Sequence, residues 1–138
     1  MIQFERHATL LLIDDEPEVL ASLTGVLAGA GYTCHTASCP EDASRLARSL
    51  VPDLIISDIN LGGHSGLTLC EELKRAACLD SVPLMFLSGA QIPDIIRRSH
   101  AAGGTYYLRK PFDPNVLLEL VEKALWMPHL ISGKLAAV

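Results

Sequence analysis

Asp14, Asp15, Asp58, Ser88 and Lys110 are the residues of this chain best placed by type and spacing to do chemistry together. Each follows or closes a short apolar run. Leu10-Leu11-Leu12-Ile13 leads into Asp14-Asp15, and Leu54-Ile55-Ile56-Ser57 leads into Asp58. Pro83-Leu84-Met85-Phe86-Leu87 leads into Ser88-Gly89, and Tyr106-Tyr107-Leu108-Arg109 into Lys110-Pro111. Two carboxylates held close repel each other, which raises the pKa of one unless a cation neutralises them. Mg²⁺ suits that role, because it takes a few carboxylate oxygens plus water and leaves room for a phosphate oxygen. A third acid at Asp58 completes a pocket that is costly to bury without a cation. A carboxylate can also attack phosphorus to give an aspartyl-phosphate. Lys110 adds a compact positive charge, Ser88 a hydroxyl, and Gly89 leaves backbone N–H groups accessible to phosphate oxygens. Each residue alone has a plainer reading: helix capping for Asp14 and Asp15, loop capping for Asp58, a turn for Ser88-Gly89, a surface lysine for Lys110.

The elements that must hold these residues follow from the runs themselves. Short apolar stretches bounded by turn signals read as strands buried on both faces of a parallel sheet. In such a sheet ligands bind beyond the carboxyl ends of the strands, where the strand order reverses. Pro17 opens a helix with Val19, Leu20, Leu23, Val26 and Leu27 as its apolar stripe, ending at Gly29 or Gly31. Tyr32–Thr36 is a more polar strand, as expected at a sheet edge. A second helix starts at Pro40 and is stopped by Pro52, and a third follows Ser65-Gly66. A short fourth helix is expected over 93–101, ending at Gly103-Gly104, and a last one over Asn115–Leu125. Five strands alternating with five helices give an α/β, flavodoxin-like doubly wound parallel sheet in the order 2-1-3-4-5. The segment 127–138 reads as the end of a helix, the start of a linker or a chain boundary.

Composition narrows the function class. A chain of 138 residues, 49% hydrophobic and 20% charged, is one globular domain. A net charge of −5 and the lack of a basic cluster argue against direct contact with nucleic acid. The polar N-terminus is not expected to be a signal peptide, and no run approaches the roughly 20 apolar residues of a membrane span. Cys34, Cys39, Cys70 and Cys78 are scattered without zinc-like spacing, which suggests reduced thiols in the cytoplasm.

With these residues in view, the chain resembles the receiver domain of bacterial two-component response regulators over residues 8–126. The matching segments are Leu11-Leu12-Ile13-Asp14-Asp15-Glu16, Pro52-Asp53-Leu54-Ile55-Ile56-Ser57-Asp58, Leu87-Ser88-Gly89-Ala90 and Leu108-Arg109-Lys110-Pro111-Phe112. The resemblance implies that Asp58 accepts a phosphoryl group from a histidine kinase or phosphotransfer protein. It implies Mg²⁺ bound directly by Asp15 and Asp58 and by the backbone carbonyl of Asn60, with Asp14 acting largely through water. Ser88 would be the switch hydroxyl, Gly89 and Lys110 would contact the phosphoryl group, and Tyr107 would be the rotating switch aromatic, with Tyr106 on the opposite face of the strand as the competing candidate. Such a domain catalyses only its own phosphorylation and dephosphorylation, and signals to an output domain or target protein. The resemblance also implies a homodimer through the face of the fourth helix, fifth strand and fifth helix.

The chain departs from the family pattern at several positions. Gly62 stands where proline is common, Ser65 where an acid or asparagine is common, and Gly89 where alanine is commoner. Gly62-Gly63 is expected to loosen the loop after Asp58. Two other classes compete with the receiver reading: a small-molecule phosphohydrolase using an aspartyl-phosphate, and an interaction module that is never phosphorylated. Against the first, Asn60 stands where a second acid would be needed two residues after Asp58.

Overall fold

The structure is a computed structural model describing residues 8–89 and 106–137, with side chains of the last helix described as far as Leu125. Five parallel strands form the main sheet: β1 (Thr9–Ile13), β2 (Thr33–Ala37), β3 (Leu54–Asp58), β6 (Leu84–Ser88) and β7 (Tyr106–Arg109). Their order is β2-β1-β3-β6-β7. Counted among themselves these strands run 2-1-3-4-5, the flavodoxin-like order expected from the sequence. β1 and β3 flank the switch point, pairing from Leu10 with Leu54 to Ile13 with Ser57.

Alternation along the strands divides the core in two. Leu10, Leu12, Leu54, Ile56, Met85 and Leu87 face one way, against Leu23 and Leu27 of helix α1 (Pro17–Gly29). Leu117, Val121 and Ala124 of the last helix, α4 (Pro114–Ala137), complete that layer. Leu11, Ile13, Ile55, Leu84 and Phe86 face the other way. There they meet Ala43 and Ala47 of α2 (Pro40–Leu50) and Leu69, Cys70 and Leu73 of α3 (Gly66–Ala76). Both faces of the central strands are covered, which is why their runs are continuously apolar. Such burial anchors the strand ends where the polar residues sit.

Helix boundaries follow local chemistry. Pro17 and Pro40 each occupy the first turn of a helix, where a missing N–H costs nothing. Ser65 caps α3, its Oγ accepting from the Thr68 N–H at 3.2 Å. α2 ends with Val51 in the left-handed region at φ 49°, ahead of Pro52.

Two expectations change. The segment after Asp58 is an antiparallel hairpin, with β4 (Asn60–Leu61) paired to β5 (His64–Ser65). Gly62 and Gly63, at φ 54° and 96°, supply its tight turn, and these positive angles are the ones that match the twist of the flanking strands. The segment read from the sequence as a loop without strands is thus a hairpin turned by its two glycines. α4 also continues past Leu125 and through Pro128 to Ala137, twelve residues beyond its expected end. The expected helix over 93–101 and Gly103-Gly104 lie outside the described residues, as does Ala90. Among the described residues no helix is long and apolar enough to cross a membrane.

Candidate functional site

The carboxyl ends of β1, β3 and β7 converge on one pocket. Backbone bonds fix each rim: Asp14 N–H donates to Ala37 O at 3.1 Å, and Ile59 N–H to Leu87 O at 2.9 Å. Lys110 N–H donates to Ser88 O at 2.9 Å, carrying the β6–β7 ladder one step beyond the strands. The Lys110–Pro111 peptide is cis. Because the backbones are pinned, the side chains at these ends have defined positions.

Asp14 is fully buried and Asp58 nearly so, whereas Asp15 and Glu16 are exposed. One carboxylate oxygen from each of the four lies within 4.8 Å of the others. Lys110 Nζ stands 3.0 Å from Asp14 Oδ2, 3.0 Å from Asp58 Oδ2 and 3.1 Å from Glu16 Oε1. Asp58 is held at both oxygens, since Oδ1 accepts the Asn60 N–H at 3.2 Å. Asp14 Oδ1 accepts the Glu16 N–H at 2.9 Å. Its Oδ2 is buried and receives no hydrogen bond; the lysine is close enough for charge attraction but is not directed at it.

The electrostatics follow from this crowding. Burial pushes the Asp14 carboxyl above its ordinary range; the Glu16 N–H and Lys110 oppose that shift and Asp58 adds to it. For Lys110, burial works against the charge, but the neighbouring carboxylates of Asp14, Asp58 and Glu16 outweigh it and hold the ammonium above its ordinary range. Four carboxylates against one ammonium leave excess negative charge. An all-oxygen donor set, with one buried oxygen lacking a hydrogen bond, fits a hard divalent cation such as Mg²⁺.

The pocket thus gathers Asp14, Asp15, Asp58 and Lys110 as the sequence suggested. Helix capping does not account for Asp14, because the capping position of α1 is Glu16, whose side chain makes no cap bond. Asn60 lies in β4 with its N–H on Asp58. Ser88 ends β6 half-buried, and Gly89 beside it is exposed. Tyr107 is 47% exposed, while Tyr106 packs on the α4 side of the sheet.

Three residues of the site have no role in the sequence reading. Glu16 is the third partner of Lys110; its signal was an acid directly following an acidic pair. Ser57 Oγ donates to the Asp58 carbonyl at 3.0 Å. Gly66, the first residue of α3, backs onto that same carbonyl so closely that a Cβ would overlap the Asp58 oxygen. No sequence signal separates Gly66 from the other glycines, since the requirement comes from a contact across the fold.

Fold and pocket together define a flavodoxin-like α/β domain with an acidic, lysine-bridged pocket at its switch point. The profile of the response regulator receiver domain matches residues 10–122. The chain belongs to that family, the receiver domains of two-component response regulators. It is 31% identical over 114 residues to the DNA-binding transcriptional regulator NtrC of Escherichia coli, covering 83% of this chain and 24% of that protein. It is 31% identical over 117 residues to the phosphate regulon transcriptional regulatory protein PhoB of Pseudomonas aeruginosa, covering 85% of this chain and 51% of that one. The chain therefore spans about a quarter of the length of the first relative and about half that of the second. Among solved structures, the chemotaxis protein CheY4 of Vibrio cholerae superposes with a TM-score of 0.83 at 28% identity, covering 86% of this chain and 99% of that chain.

Proposed function

We propose that the domain accepts a phosphoryl group on Asp58 from the phosphohistidine of a sensor kinase or phosphotransfer protein. A carboxylate oxygen of Asp58 forms the O–P bond as the N–P bond breaks, and the departing imidazole keeps the electron pair. The observation that carries this reading is the bracing of Asp58, with Oδ1 on the Asn60 N–H and Oδ2 on Lys110. A nucleophile fixed at both oxygens and beside a cation is oriented before the donor arrives. Asp14, Asp15, Asp58 and the Asn60 carbonyl would hold Mg²⁺, which when bound supplies positive charge to the phosphoryl oxygens. Lys110 takes one of those oxygens, and the Ser88 hydroxyl and Gly89 N–H sit at the neighbouring strand end to take others.

Tyr107 stands outward in the resting domain, and inward rotation as Ser88 engages the phosphoryl group would change the face around β7. That face serves an output domain, a target protein or a second copy. Residues 8–126 form the receiver unit, with 127–138 leading out of it along α4 or into a linker. The domain turns over no separate substrate, contacts no nucleic acid itself and works in the cytoplasm.

Intact-mass spectrometry after incubation with acetyl phosphate and Mg²⁺ tests the assignment. One phosphoryl group is expected on the wild type and none on Asp58→Ala or without Mg²⁺. Stoichiometric labelling of Asp58→Ala would overturn it.

A further inference from the structure

Lys110 is already engaged before any phosphoryl group arrives. Its Nζ donates to Asp58 Oδ2 at 3.0 Å and to Glu16 Oε1 at 3.1 Å, and Asp14 Oδ2 adds its charge at 3.0 Å without a hydrogen bond. A phosphoryl oxygen on Asp58 must compete with these carboxylates for the ammonium, and gains most where one of them can withdraw. Asp14 cannot, being fully buried and tied through Oδ1 to the Glu16 N–H. Asp58 cannot, because it carries the group. Glu16 can. Its side chain is 57% exposed, has water to turn into, and among the described residues is bonded to Lys110 alone. Its backbone meanwhile is fixed, the carbonyl accepting from Val19 at 3.1 Å and Leu20 at 3.2 Å, so the carboxylate moves without disturbing α1.

We infer that Glu16 is a positioning residue that occupies Lys110 in the resting domain and yields it to the phosphoryl group, so that its release sets how readily the site accepts that group. The inference rests on the phosphoacceptor reading of Asp58. Removing the contact removes a competitor, so the activated state becomes easier to reach. An exposed ion pair of this kind supplies a factor of about two to five.

Beryllofluoride, which mimics the phosphoryl group, is titrated at saturating Mg²⁺ into the wild type, Glu16→Gln, Glu16→Asp and Glu18→Gln. Mg²⁺ alone is titrated by calorimetry in parallel. Glu16→Gln is expected to bind beryllofluoride about two- to fivefold more tightly. Glu16→Asp, one methylene too short to reach Nζ, tightens binding likewise although it keeps the charge. Glu18→Gln, which removes the same charge from an exposed position of the first turn, leaves it unchanged. Equal or weaker binding by Glu16→Gln, or an equal gain in Glu18→Gln, overturns the inference. So does a marked fall in Mg²⁺ affinity in Glu16→Gln, which would make Glu16 a metal ligand instead. If the wild type binds no beryllofluoride with Mg²⁺, the phosphoacceptor reading itself fails and takes the inference with it.

Discussion

Gly66→Ala is expected to destabilise the domain by about 2 kcal/mol, against the direction that helix propensity dictates. Alanine replacing glycine at a helical position with compatible backbone ordinarily gains about 0.5–1 kcal/mol, mostly by restricting the unfolded chain. At Gly66 the added Cβ would overlap the Asp58 carbonyl oxygen, and would lie 2.9 Å from its carbon and 3.1 Å from Ser57 Oγ. Two of these atoms are backbone, and the third, Ser57 Oγ, is buried and tied by its hydrogen bond to the same carbonyl. Relief therefore requires the start of α3 to back away from the end of β3 by roughly one and a half ångströms, given ordinary carbon–oxygen contact near 3.3 Å. Overpacking of that kind costs about 1–3 kcal/mol. Loosening the bonds that meet there, Gly66 N–H to Ile59 O at 2.7 Å and Ser57 Oγ to Asp58 O at 3.0 Å, adds about 0.5–1.5 kcal/mol. The sum exceeds the propensity gain. Gly25→Ala in α1 is the matched control, since a Cβ there meets nothing within 4 Å, and it should gain about 0.5–1 kcal/mol. Urea denaturation followed by circular dichroism measures both, and midpoints must move in opposite directions. A Gly66→Ala protein as stable as the wild type would refute the close-contact reasoning.

Three further outcomes follow from the same pocket. Asp14→Asn should stabilise the metal-free domain by about 1 kcal/mol in urea denaturation at neutral pH, because it discharges a buried oxygen that lacks a hydrogen bond. The folded-state pKa of Asp14 lies above 3.8, so its carboxylate penalty is full above the folded value and vanishes as pH falls past 3.8; the advantage of the variant must shrink on acidification. Lys110→Met leaves three carboxylates facing one another and should cost about 1–3 kcal/mol without metal, while Mg²⁺ raises its melting temperature more than that of the wild type. Ser65→Ala removes the cap bond to Thr68 and should cost about 1 kcal/mol in the same denaturation assay.

The three central strands were legible because burial on both faces writes itself into the sequence as unbroken apolar runs, clearest in Leu10–Ile13 and Leu54–Ile56. Tyr106–Arg109, by contrast, expected to be buried on both faces, is a half-exposed edge strand. The polar residues after those runs were legible for the same reason. Asp14 is fully buried, and a charged residue ending such a run is conspicuous. The hairpin was not legible. Asn60-Leu61 and His64-Ser65 are two-residue strands, too short to show alternation, and only the positive φ of Gly62 and Gly63 reveals the turn. Gly66 was hidden because its constraint is a distance to another element. The length of α4 was hidden by Pro128 and Gly133, which read as breakers locally although the helix continues through both.

The pocket divides into a fixed part and an adjustable part, and the division follows burial. Asp14 and Asp58 hang from strand ends whose backbone bonds continue the sheet, and Gly66 closes behind Asp58 without room for a methyl group. Their carboxylates cannot separate to relieve their repulsion, so the domain carries an electrostatic cost that a cation would remove. Asp15, Glu16 and the hairpin turn lie at the mouth, where exposed carboxylates can change partners at small expense. Gly62 belongs to both parts. A Cβ there would stand 3.1 Å from Asp15 Oδ2, so the glycine leaves Asp15 the room it occupies. On the proposed function, the rigid pair would supply the fixed part of the cation site with Asp15 completing it at the mouth, and Glu16 would answer an arriving phosphoryl group. Substitutions in the first set should change stability and metal binding together, whereas Glu16 substitutions should change the response and leave both intact.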